Sequence, residues 1–126
     1  MKKIALLLTI LLLPSVSYAG DGNELLSNCT KACKASDGED VSSSNYFGMG
    51  TCMGTIRGVI DAGEIINISA ESRGYTKQNL YCVPVEMSTV QVTKVVVDYL
   101  EAHPEDLHQR DTALTVLALM EAFPCK

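Results

Sequence analysis

Cys52-Met53-Gly54-Thr55-Ile56-Arg57-Gly58-Val59-Ile60-Asp61 is the stretch on which the reading of this 126-residue chain turns. Glycines stand at 50, 54 and 58, four apart, and Ala62 continues the row. Residues four apart share one face of a helix. Each interior glycine costs a helix about 1 kcal/mol against alanine, so three in register predict a backbone strip that another helix approaches closely. Cys52 heads the strip as a covalent anchor. The expected element is the central helix of a small exported helical domain.

The export expectation rests on residues 1–19. Lys2 and Lys3 form a positive head, Ile4 to Leu13 is apolar apart from Thr9, and Ser17 and Ala19 are small residues before Gly20. That pattern is a cleavable signal peptide. The apolar run is too short for the ~20 residues of a spanning helix. A single domain is expected over 20–126. Without Lys2 and Lys3, eight basic side chains face fifteen acidic ones, a net charge of −7. Such a surface excludes nucleic acid as a natural partner and suits either simple solubility or a basic protein partner.

Around the central helix the 3–4 spacing predicts further helices. Leu25, Leu26, Cys29, Ala32 and Cys33 mark a first one, with Asn23 as its cap and an end near Lys34. Residues 35–45 read as an acidic polar loop. The central helix starts near Tyr46, and 67–81 reads as a second irregular stretch, part of which is open to continuing the helix. Cys82-Val83-Pro84 is extended. Ser88-Thr89-Val90-Gln91 is a capping box opening a helix through Val92, Val95, Val96, Tyr99 and Leu100, which His103-Pro104 ends. Asp111 is the expected cap of a last helix, before Phe123-Pro124-Cys125. The fold class is therefore all-α, a compact disulfide-stapled bundle of four to five helices.

All five cysteines lie beyond the leader, and an exported chain meets an oxidising compartment. If neighbouring helices are antiparallel, Cys82 comes beside Cys125 and Cys29 beside Cys52. Cys33, one turn after Cys29, is an alternative partner for Cys52 and otherwise the odd thiol. No catalytic constellation stands out. The cysteines are expected to be oxidised, His103 and His108 flank a turn without metal-ligand spacing, and there is no phosphate loop or nucleophile elbow. No cofactor is expected.

The ordered set Leu25-Leu26-x-x-Cys29, Cys52-x-Gly54-x-Ile56-x-Gly58-Val59-x-Asp61, Cys82-x-Pro84 with Thr89-x-Gln91, Tyr99-Leu100-x-x-His103-Pro104 and Ala122-Phe123-Pro124-Cys125 resembles the Rap/Tai family of type VI secretion immunity proteins. Thr55 departs from that pattern, where a tyrosine is frequent, and so does Asp106-Leu107, where an arginine is common. The resemblance implies a small periplasmic helical protein without enzymatic activity, commonly a homodimer, that binds a peptidoglycan amidase effector and occludes its papain-like site. The contact residues expected on such a scaffold are Glu71, Arg73, Tyr75 and Tyr81 in the second irregular stretch, since tyrosine and arginine are frequent interface anchors. Asp37, Glu39 and Asp40 in the first loop are the second choice. The alternative function is a periplasmic acid or stress chaperone, which exposes apolar surface when its carboxylates protonate.

Overall fold

The computed structural model describes residues 20–126. The expected leader, 1–19, lies outside them. Helix α1 spans Gly22–Ser36, α2 Tyr46–Ser72, α3 Thr89–Ala102 and α4 Asp111–Ala122, with single 3-10 turns at Ser43–Asn45 and Pro104–Asp106. Among the described residues there is no strand, only an isolated bridge between Asp21 and Arg110. The bundle is all-α, and its core is one cluster drawn from all four helices.

Helix α1 starts earlier than Asn23. Asp21 is its cap, its carboxylate accepting from the Glu24 N–H at 3.0 Å. The reason is tertiary. The Asp111 N–H donates to the Gly20 carbonyl at 3.0 Å, and the Gly22 N–H donates to the Gln109 carbonyl at 3.0 Å. These bonds fix the lead-in against the turn before α4, so the helix begins as soon as it leaves that turn. Gly22 is buried in this contact. A Cβ there would strike Leu114 Cδ1 and come within 2.9 Å of the Leu107 backbone, and backbone cannot swing aside as a flexible side chain does. Gly22→Val is therefore expected to cost about 3 kcal/mol through overpacking. The check is a lowered urea midpoint at unchanged slope.

Helix α3 keeps its capping box: the Gln91 N–H donates to Ser88 Oγ at 3.2 Å, and the Ser88 N–H donates to Gln91 Oε1 at 2.8 Å. Its buried face is Val92, Thr93, Val96, Val97 and Leu100, while Val95 and Tyr99 are half-buried. The face is thus rotated from the expected one toward Thr93 and Val97. Thr93 fits the core because its hydroxyl donates to the Thr89 carbonyl at 2.8 Å. Thr115 in α4 does the same with Asp111. Asp111 is the first residue of α4 and not its cap, which is Arg110. The Asp111 carboxylate still serves the helix start by accepting from the Thr112 N–H at 2.6 Å.

Two disulfides tie the bundle. Cys29–Cys52 joins α1 to α2 with both residues fully buried. Cys82–Cys125 joins the segment before α3 to the residues after α4, and both its residues are exposed. Cys33 is a half-buried free thiol.

The glycine row overturns its expected packing role within the chain. At Gly50, Gly54 and Gly58 an added Cβ would meet nothing within 4 Å. Cys52 and Ile56 are the buried residues of α2. At 3.6 residues per turn Gly54 lies about 200° from each of them, so the Cys29–Cys52 bridge turns the row outward. The glycines of α2 that do admit a neighbour are Gly48, under the Asn28 side chain, and Gly63, under the Tyr81 hydroxyl.

Candidate functional site

Helix α2 has 27 residues, against 15, 14 and 12 in the other three. At 1.5 Å per residue it is about 40 Å long, roughly twice its neighbours. The part beyond Ile60 contributes nothing to the buried core. It projects as an arm.

The arm runs further than an irregular stretch from Asn67 allows. Helix continues to Ser72, so Glu71 belongs to its last turn. What stops it is Gly74, at φ +78°. The Gly74 N–H donates to the Glu71 carbonyl at 3.0 Å and the Tyr75 N–H to the Ala70 carbonyl at 2.9 Å, the paired closure of a glycine C-terminus. Gly38, at φ +86°, ends α1 in the same way.

After Gly74 the chain returns beneath the arm without regular structure, yet it is pinned. Tyr81 donates its hydroxyl proton to the Val59 carbonyl at 2.8 Å. Asn67 Nδ2 donates to Asn79 Oδ1 at 2.5 Å. The Cys82 N–H donates to the Phe123 carbonyl at 2.8 Å, beside the Cys82–Cys125 bridge. Burial pushes the Tyr81 phenol up from its ordinary value. Tyr81 therefore faces α2 and holds the loop. Between arm and loop lies a cavity of about 440 Å³, lined among others by Ile60, Glu64, Ile66, Leu80 and Val83.

The arm carries apolar residues that its own chain leaves bare. Ile65, Ile66 and Ile68 are 64%, 67% and 57% exposed, and Leu80 and Val85 are also exposed. At 100° per residue the three isoleucines spread over nearly half of the helix circumference. Bare apolar surface of this kind is common in contact regions. Sequence reasoning missed it. The available signal was Ile65-Ile66-x-Ile68, which cannot share one face with Cys52 and Ile56.

The expected contact residues fall into two groups. Glu71, Arg73 and Tyr75 are exposed together at the arm tip, where Glu71 pairs with Lys77 at 2.8 Å. Asp37, Glu39 and Asp40 are exposed in the loop that precedes α2. Asp37 caps α1 and holds Lys94 Nζ at 2.5 Å. The two groups lie in separate segments, one at the C-terminal end of α2 and one in the loop between α1 and α2, where Asp37 is held to Lys94 of α3.

The remaining reactive residues are occupied locally. His103 Nδ1 lies 2.8 Å from the Tyr99 carbonyl, with its ring stacked on Tyr99, and His108 Nδ1 lies 2.9 Å from the Glu105 carbonyl. Among the described residues no group of three His, Cys, Asp or Glu is placed to hold a metal ion. Burial pushes the Cys33 thiol up; the Lys94 ammonium opposes this and Asp37 adds to it. A raised thiol carries less of the reactive thiolate.

The family model of the Rap1a immunity proteins matches residues 21–125, so the match takes in the arm, the pinned loop and both disulfides. The chain belongs to the Rap1a immunity proteins. No curated protein and no solved structure matches it. As a Rap1a immunity protein it serves in immunity against a type VI effector, and its partner is that effector protein. Among the described residues no helix is long and apolar enough to cross a membrane.

Proposed function

We propose that this Rap1a immunity protein acts in the periplasm, reached through the leader at 1–19, where it binds a peptidoglycan amidase effector and occludes its active site. It does so without catalysis of its own. The observation that carries this reading is the arm: a long helix with bare isoleucines, ending in Arg73 and Tyr75, and braced by a disulfide-pinned loop. A projection held rigid before binding loses little ordering entropy on entering a cleft. Aromatic and arginine side chains at its tip suit the role of anchors.

The test is binding of the purified protein to the amidase effector of the same cells. A nanomolar complex at neutral pH is the expected result. No complex at micromolar concentrations, with client binding appearing only near pH 3, would favour the acid-chaperone function instead.

The same reading includes a homodimer, and the outward face of α2 supports it. Phe47, 87% exposed, and Ile65 lie equally far along the helix from residue 56, as do Gly50 and Ala62, and Gly54 and Gly58. Two such helices laid antiparallel about a two-fold axis would set Phe47 of one chain against Ile65 of the other, with glycines facing glycines. Self-complementarity is what a two-fold interface requires. Gly54→Leu is then expected to give a monomer by light scattering with unchanged helix content. A dimer that persists in this variant would remove the glycine face from the interface.

A further inference from the structure

The cavity beneath the arm has features that occlusion by the arm tip does not use. We propose that it is a reciprocal docking groove, receiving from the effector a loop that presents one large apolar side chain beside a lysine or arginine. This rests on the reading of the protein as an effector-binding immunity protein.

The apolar half of the specification comes from the walls. Ile60 and Val83 are half-buried in the groove, while Ile66, Leu80 and Val85 form lips open to water, Val85 at 100% exposure. A volume of about 440 Å³ accommodates a large side chain and part of its backbone, and falls within the ~300–1,000 Å³ of pockets that bind compact ligands. The groove is also formed in advance. The Asn67–Asn79 and Tyr81–Val59 hydrogen bonds hold its two walls together, so little ordering accompanies entry.

The basic half comes from charge. Lys77 lines the groove and is neutralised by Glu71. Glu64 in the wall and Glu86 beside the Val85 lip make no ion pair among the described residues. Two unpaired carboxylates beside apolar walls, on a chain of net charge −7 beyond the leader, select a cation flanking the apolar group. A free apolar small molecule would leave both carboxylates unanswered.

The experiment measures affinity and association rate for the purified amidase effector that the wild-type chain inhibits. Ile66→Ala with Leu80→Ala truncates both lips, and Glu64→Lys reverses the wall charge. Ile66, Leu80 and Glu64 are exposed, so helix content and unfolding midpoint should stay at the wild-type values. The expected result is at least a tenfold loss of affinity for the double variant. For Glu64→Lys it is a severalfold slower association at low salt, with the difference vanishing at high salt. Affinities within threefold of wild type in both variants would overturn the groove and leave the immunity function standing. Retained affinity with conversion of a dimer to a monomer would assign the groove to a second copy of the chain, and also overturn the proposal. A wild-type chain that binds no amidase effector would overturn both readings together.

Discussion

Replacing Cys29 and Cys52 together by alanine is expected to lower the unfolding free energy by about 4 kcal/mol. The bridge closes a sequence separation of 23, worth about 3 kcal/mol in the chain-entropy account. Both cysteines are at 0% exposure, so removing two sulfur atoms also leaves a void worth about 1 kcal/mol more. Against a total stability of about 5–15 kcal/mol for a small domain, much of the margin is gone. Chemical denaturation followed by helix content measures it. A loss below about 1 kcal/mol would mean that the core does not depend on this bridge. Removing Cys82 and Cys125 should act differently. That bridge is exposed and bounds the pinned loop, so its loss should free residues 75–83 for hydrogen exchange while the core amides stay protected.

The arm tip carries the largest expected effect on binding. Arg73→Ala combined with Tyr75→Ala should weaken the effector complex at least about 100-fold, since interface anchors of these types commonly contribute 2 kcal/mol or more each. Stability should change by no more than about 0.5 kcal/mol. Both side chains are exposed, and the hydrogen bonds that close this end of α2 come from the backbone N–H groups of Arg73, Gly74 and Tyr75. Neutralising Asp37, Glu39 and Asp40 is the internal control. These lie in the loop between α1 and α2, away from the arm's sequence, and their loss should alter effector affinity less than threefold. Equal losses from the two sets of substitutions would contradict a single occluding arm.

How much of this was legible in the sequence follows from which forces act locally. The capping box at Ser88 and the stop at His103-Pro104 depend on residues a few positions apart, and both are in the structure. The caps at Asp21 and Arg110 were missed because they are fixed by backbone hydrogen bonds between their neighbours, Gly22 to Gln109 and Asp111 to Gly20, across almost the whole chain. The end of α2 was legible in principle. Gly74 is the closing residue, but the polar run around it reads equally well as a loop. The outward turn of the glycine row was not legible, because apolar and small residues occur on both sides of that helix. Its direction is fixed by the Cys29–Cys52 bridge and the burial of Ile56. In the binding region the tip residues Arg73 and Tyr75 stand out by type. The arm itself does not, because projection is a matter of what the other three helices fail to cover. Tyr81 shows the opposite limit: a residue chosen as an interface anchor by type has its hydroxyl committed to Val59.

The most direct measurement is hydrolysis of purified peptidoglycan by the amidase effector, titrated with this protein at neutral pH. Occlusion predicts activity falling linearly to zero at one immunity chain per enzyme, with the Arg73→Ala, Tyr75→Ala variant failing to inhibit at the same concentrations. Full hydrolysis in the presence of excess wild-type protein, with the two proteins nonetheless bound to one another, would contradict it.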